Sequence, residues 1–310
     1  MNLYHVKLKT ESWLASAWQA DTIWGHLSWG LRYTQGEDAL KKFIKLYDEG
    51  KPPIILSDGF PEDLLPRPIL PEPPIDDSLS LKEKGEQFQK RKDIKKVKYL
   101  TKDEFEKVFR GELFEPSDKS NYETSMVTLK NQINRLTGTT AGEEDTRGHL
   151  FPFSQYRWKY VSIYARIADD FVETARQLFK YLEQSGYGKR KSVGYGQVTI
   201  EEFKEFTEFP SPPDANGFIS LSSFVPAAND PAQGYWQVLV KYGKLGEELA
   251  TSENPFKKPL IMFTAGSCFY DSPCKEYYGR LVKNLTTVSQ NVAQYGLALA
   301  LPIKLPIERE

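Results

Sequence analysis

Four glycines and three consecutive cations fall together in Gly186-Tyr-Gly-Lys-Arg-Lys-Ser-Val-Gly-Tyr-Gly196, between an apolar helical pattern and a strand pattern. Such a stretch suits the holding of phosphates. Glycine permits φ > 0 and lets backbone N–H groups approach a ligand, while Lys189, Arg190 and Lys191 supply charge and Ser192 a hydroxyl. A nucleotide-binding P-loop would need its Lys-Ser pair to open a helix, but Tyr195, Val198 and Ile200 continue as a strand, which argues against an ATPase. The same residues would also make a solvated, basic hairpin turn, and composition does not separate the two.

Acid–base chemistry has three histidines to draw on, His5, His26 and His149. A histidine can cut RNA without metal as a general acid or base. Here His5 falls on a strand face, His26 on a helix beside Trp24 and Trp29, and His149 on a hairpin arm. No pattern brings two of them together, so packing or RNA contact is the favoured role of each. The run Glu143-Glu-Asp145 lies at a hairpin tip, where adjacent carboxylates are more often solvated charge than a metal site. Cys268 and Cys274 are spaced unlike a zinc pair, which points to a reducing cytosol without disulfide or structural metal. Neither a metal nor a cofactor is expected.

The 310 residues carry 41 cations and 42 acids, so no global positive field recruits nucleic acid and any basic surface is local. With 40% apolar and 13% aromatic residues the chain can fill one large or two medium cores. Neither a charged-then-apolar leader nor an apolar run long enough to span a bilayer is present, so neither secretion nor membrane insertion is expected.

Residues 3–10 alternate, with Tyr4, Val6 and Leu8 on one face and His5, Lys7 and Lys9 on a basic outer face. Asp21 or Thr22 can cap a helix with one stripe of Ile23, Trp24, Leu27 and Leu31 and a second of His26, Trp29 and Tyr33, a pattern best read as burial on two sides. A helix over 38–47 and a short strand over 54–56 follow. The proline-rich stretch 61–74 reads as a stiff surface crossover. Residues 82–98 hold eight cations and three acids, read as a solvated helix or mobile insertion, with RNA contact the lesser alternative.

A long hairpin is expected over 131–156, with arms at 133–136 and 149–153 and a small polar tip at 138–142. Arg135, Arg147, His149 and Phe151 would lie along its arms, within reach of RNA. A strand over 157–167 would bury Val161, Ile163, Ala165 and Ile167. Its other face, with Trp158, Tyr160, Tyr164 and Arg166, suits RNA stacking or packing by another domain. The helix over 169–183 has core spacing and delivers the glycine loop. To residue 210 the order suits an elaborated βαββαβ, ferredoxin-like domain. Residues 210–216 read as a linker, and strands at 218–221, 235–242, 260–265 and 295–303 make a second, more β-rich half.

Motifs occur in order along the whole chain: Ala20-Asp-Thr-Ile-Trp-Gly-His-Leu27, Leu56-Ser-Asp-Gly-Phe-Pro61, Ser192-Val-Gly-Tyr-Gly196, Tyr242-Gly-Lys-Leu-Gly246, Pro255-Phe-Lys-Lys258, Ala265-Gly-Ser-Cys-Phe269 and Val292-Ala-Gln-Tyr-Gly296. In them the chain resembles the crRNA-capping RAMP subunits of type III-A CRISPR interference (Csm) complexes, which are related to the fifth Cas protein family. The resemblance implies an α+β chain of tandem ferredoxin-like (RRM-like) RAMP domains with a glycine-rich loop and an inserted thumb β-hairpin. The first domain would span 1–210 with insertions over about 61–156, including the thumb at 131–153, and the second 217–310.

It further implies a cytoplasmic, non-catalytic subunit that caps the 5′ handle of the crRNA in antiviral defence and meets target RNA only indirectly. Such a subunit docks on the large polymerase-like signature subunit and on the adjacent backbone RAMP subunit. By the same resemblance, Gly186, Gly188, Lys189, Arg190, Lys191, Ser192, Gly194, Tyr195 and Gly196 would contact the handle. Asp21, Trp24 and His26 would shape its site, Arg135 and His149 would belong to the thumb, and Gly266 and Ser267 would form a second glycine-serine contact. The rival is a metal-independent CRISPR RNA-processing endoribonuclease of the same superfamily, for which the chain lacks an evident histidine pair.

Overall fold

Tyr4, Val6 and Leu8 are buried on one side of strand β1 (Asn2–Thr10), which lies inside the first sheet. The computed structural model describes residues 1–71, 78, 80–109, 122–140, 148–207, 209, 212–288 and 292–306. Helices α1 (Ala20–Gln35) and α2 (Glu37–Asp48) follow β1 and lead to strand β2 (Ile54–Pro61). An insertion then holds β3 (Leu65–Pro66), α3 (Leu81–Lys96), β4 (Tyr99–Leu100), α4 (Lys102–Phe109), β5 (Glu123–Lys130) and β6 (Phe151–Trp158). Strand β7 (Tyr160–Ile167), helix α5 (Val172–Ser185) and strand β8 (Val198–Glu205) complete the first half.

The sheet order β2-β7-β1-β8, antiparallel at each pairing and crossed by α1 and α5, is the ferredoxin-like arrangement. Helices α1 and α5 bury Ile23, Leu27, Leu178 and Phe179 in the same core as Val6, Leu8 and Ile163.

The second half contains β9 (Gly217–Ser220), β10 (Gly234–Tyr235), β11 (Val238–Lys241), β12 (Leu260–Phe263), β13 (Cys268–Tyr270), β14 (Tyr277–Gly279) and β15 (Leu297–Ile303). Its main sheet runs β10-β13-β9-β15-β14. The first four of these strands repeat the ferredoxin order, with β9 and β15 as first and last. The expected helices are missing: among the described residues no α-helix follows α5. The crossovers are irregular chain and short strands, because their sequence offers no sustained helical stripe. Val6, Trp24 and Leu178 share one buried cluster with Ile219, Tyr295 and Leu301, so the halves are fused through a common core.

Several local expectations are corrected. The strand expected to end at residue 56 continues to Pro61 through a register shift between Leu56 and Gly59, which sets Ser57 and Asp58 out of the ladder. Asp58 then reaches the start of α1, where its Oδ1 accepts the Ala20 N–H at 2.8 Å. The α1 cap thus comes from β2 and not from Asp21 or Thr22. Over its described residues, 61–71, the proline-rich stretch is no surface crossover, since Leu65 is 1% exposed and joins the main core.

The hairpin pairs β5 with β6, Lys130 opposite Phe151 and Glu123 opposite Trp158, so its outgoing arm precedes the 133–136 expected for it, while its returning arm overlaps the expected 149–153 from Phe151 and runs on to Trp158. Ile133 makes only an isolated bridge to Thr140. Of the two uses open to the outer face of β7, packing holds at Tyr164, which packs edge-on to Phe206 and Phe209 and carries His5 stacked on it. The chain leaving β8 folds back over that end of the sheet and buries it. Helix α3 buries none of its residues and starts with a complete Ser80–Glu83 capping box, as a solvated helix should. Arg147, the acids at 143–145 and residues 210–211 of the expected linker lie outside the described residues.

Candidate nucleic-acid interface

The core stripe of α5 ends at Gly186, which takes φ +76° and turns the chain out of the helix. The glycine loop then runs against residues 11–19, the connection from β1 to α1. Lys189 N–H donates to Ser16 Oγ at 2.8 Å, Gly196 N–H to the Trp13 carbonyl at 2.9 Å and Gln197 N–H to Ser12 Oγ at 2.9 Å. Tyr187 lies on Trp18 with ring centres 3.6 Å apart and donates its hydroxyl to the Ala17 carbonyl at 2.6 Å. A stacked pair of this kind contributes about 1 kcal/mol beyond its buried area. Gly196 is required by contact as well as by φ: a Cβ there would sit 1.9 Å from the Tyr187 carbonyl oxygen.

These bonds change how the loop can work. Its flanking N–H groups are consumed internally, and Lys189, Arg190, Ser192, Val193 and Gly194 form the exposed crest. Arg190, in the left-handed region at φ +61°, opens a single 3-10 turn over Lys191–Val193. Lys191 departs from the expectation, since its Nζ donates to Glu247 at 2.5 Å in a pair only 22% and 24% exposed. Two of the three cations therefore face solvent.

His26 holds the loop from α1. Its Nε2 accepts the Gly188 N–H at 2.9 Å, which requires the neutral ring. Burial, and next the Lys191 charge, pull its pKa down to about 3. His26 is thus a positioning group beneath the loop.

The hairpin meets the crest from the other side. Arg190 and Lys130 sit 4.5 Å and 4.4 Å from the centre of the Phe153 ring. The Tyr195 hydroxyl donates to Gln155 Oε1 at 2.6 Å, and the Tyr195 ring lies 4.5 Å from Lys130 Nζ. Arg135 and His149 are exposed in the segment beyond the paired arms.

The remaining expected site residues serve packing between the halves. Trp24 is 4% exposed, stacks near Phe43 and Tyr295 and donates to the Tyr47 hydroxyl at 3.0 Å, so it cannot touch a handle. Asp21 is buried and accepts from Lys241 of the second half at 3.0 Å and from Gln294. Lys257 completes this network through Gln294 at 2.6 Å, and burial lowers its pKa to about 8. Ser267 is fully buried, and the Gly266 carbonyl accepts the Ile69 N–H at 2.8 Å, which places this motif under the proline-rich stretch. His5 is also buried, with Nε2 2.9 Å from Ser162 Oγ and its pKa lowered chiefly by burial.

Sequence reasoning missed Ser12, Ser16 and Trp18, which fasten the loop, and Lys130, Phe153 and Gln155, which meet it. No periodicity marks these residues. Ser16 and Trp18 fall in a short irregular connection, and Lys130 is one lysine among many. Among the described residues no group of three or more His, Cys, Asp or Glu is placed to hold a metal ion, and no helix is long and apolar enough to cross a membrane.

Strands β2 and β7, the crossing helices α1 and α5 and the start of β8 fall within residues 19–199, the stretch matched by the family model of the RAMP superfamily. The chain belongs to the RAMP superfamily. This RAMP protein is 23% identical over 296 residues to the "CRISPR system Cms protein Csm4" of Thermococcus onnurineus (strain NA1), a match covering 93% of this chain and 92% of the relative. Its fold matches a chain in the crystal structure of a Csm1-Csm4 cassette in complex with pppApA, with a TM-score of 0.67, 18% identity and 99% of each chain covered. A chain of the Csm3-Csm4 subcomplex of the type III-A CRISPR-Cas interference complex matches with a TM-score of 0.64 and 14% identity, over 98% of this RAMP protein and 100% of that chain. The α+β RAMP fold expected from the motifs thus agrees with family and fold alike.

Proposed function

We propose that this RAMP protein is a Csm4-like subunit of a type III-A CRISPR effector complex in the cytoplasm, and that it caps the 5′ handle of the crRNA without cutting it. In this role it joins a Csm1-like large subunit to the first Csm3-like backbone subunit. The observation that carries the RNA-binding part is the exposed crest of residues 189–194, held by His26 and Ser16 below and flanked by Lys130 and Phe153 of the hairpin. Cations on a rigid turn grip a single strand through its phosphates without reading its bases. The full-length similarity to Csm4 supports the two protein partners. His5 and His26 are each committed to a packing contact, which speaks for binding over cleavage.

The test is to incubate the purified chain with labelled repeat-spacer RNA, alone and with a Csm1-like subunit, and to follow both retention and cleavage. Retention through the 5′ handle, strengthened by the large subunit and without new products, is the expected result. Discrete cleavage by the chain alone would overturn the capping role in favour of the processing endoribonuclease.

A further inference from the structure

The motif Tyr242-Gly-Lys-Leu-Gly246 of the second half is followed at once by an acid that reaches the glycine loop. Glu247 Oε1 accepts from Lys191 Nζ at 2.5 Å. A carboxylate oxygen so placed does what a phosphate oxygen of a bound strand would do, and it takes one loop cation out of use. Lys189 and Arg190 remain exposed.

Neither partner depends on this bond to be held in place. The glycine loop is fastened without it by Ser12, Trp13, Ser16 and His26. The turn that carries Glu247 is fastened by its neighbours to α1: Glu248 accepts from Arg32 at 3.2 Å and from the Tyr33 hydroxyl at 3.5 Å. Gly246 lies so close to Trp29 that a Cβ there would come 3.2 Å from the indole nitrogen, and Leu245 is buried. A pair left partly open to water adds little to stability. Glu247 nevertheless takes φ +50°, in the left-handed region that a residue with a Cβ disfavours. Backbone of this kind persists where the surroundings over-determine it, and it clusters at ligand clamps and switches.

We propose that Glu247 is an autoinhibitory residue of the loop, standing in for a phosphate at Lys191 so that RNA is gripped by two loop cations where three are present. This rests on the capping reading above and gives the second half a part in setting the affinity for RNA.

The experiment measures affinity of the full-length chain for handle-containing RNA over a salt series, in wild type, Glu247→Gln, Lys191→Ala, the double variant of these two, and Lys189→Ala. Glu247→Gln removes the charge and keeps the size of the side chain. It should tighten binding and steepen the salt slope by about 0.7, so that its gain grows by a factor of about 2.6 for each fourfold drop in salt. Adding Lys191→Ala should cancel the gain and restore the wild-type slope, whereas Lys191→Ala alone leaves that slope nearly unchanged. A pair that only fastened the loop would give the opposite sign, with binding weakened by Glu247→Gln and by Lys191→Ala alike. Unchanged or weakened binding by Glu247→Gln, alongside a weakened Lys189→Ala, would overturn this inference and leave the capping reading standing. A gain that survives in the double variant would overturn it too, because Lys191 would then not be the group set free. Failure of the wild type to retain handle RNA would overturn both readings.

Discussion

His26 Nε2 accepts the Gly188 N–H at 2.9 Å, so one helix side chain fixes the base of the RNA-facing loop. Protonation would replace this acceptor by a second donor. With a folded pKa of about 3 against 6.5 for an ordinary histidine, the unfolded chain binds a proton below pH 6.5 that the folded chain refuses. Stability is therefore lost as pH falls from 6.5 toward 3, by about 1.4 kcal/mol per pH unit, and is unaffected above that window. His26→Gln keeps an acceptor and should abolish this slope, whereas His26→Ala should loosen the loop at every pH. Denaturant unfolding at stepped pH checks the first, and protease sensitivity of residues 186–196 the second.

Asp58 supplies a slope of opposite sign. Its carboxylate accepts the Ala20 N–H at 2.8 Å and both the N–H and hydroxyl of Ser223 at 3.0 Å and 2.7 Å, but burial still raises its pKa from 3.8 to about 6. The folded chain holds this proton more tightly than the unfolded one, so stability falls as pH rises from about 4 to about 6, by roughly 3 kcal/mol in all. In the wild type the Asp58 and His26 slopes oppose each other across that window. Asp58→Asn should expose the His26 dependence and His26→Gln the Asp58 dependence. Parallel pH profiles for the two variants would refute this assignment.

The three loop cations should not behave alike. Lys189→Ala and Arg190→Ala should each lower the salt slope of RNA binding by about 0.7. Lys191→Ala should leave the slope nearly unchanged, because its charge is already spent on Glu247. Equal slope changes for all three would show that the Lys191–Glu247 pair opens to receive RNA.

Two glycines of the same loop separate fold from function. Gly196→Ala places a Cβ 1.9 Å from the Tyr187 carbonyl oxygen at φ +70°, and should destabilise the chain by several kcal/mol or prevent its folding. Gly194→Ala at φ +89° meets nothing within 4 Å and should cost about 1–2 kcal/mol, from backbone strain alone. Thermal melting of the two variants checks the contrast.

Much of the first half was legible because its signals are local. The period-two burial of Tyr4, Val6 and Leu8 and the stripe of Ile23, Leu27 and Leu31 state which face turns inward, and those faces dictate the sheet and its helices. The glycine loop was legible for a related reason: where φ is positive and a Cβ has no room, as at Gly196, glycine has few substitutes. Only the tertiary structure decided what each exposed-looking residue meets. Asp21, Trp24 and Ser267 read as site residues and are buried where the halves and the proline-rich stretch close over them, while Lys130 and Phe153 gave no signal and stand at the loop. A sequence pattern states which side of an element avoids water. Whether a polar group beside it is left for a ligand depends on partners far along the chain, as Lys191 on Glu247 and Asp21 on Lys241, and no local pattern encodes that pairing.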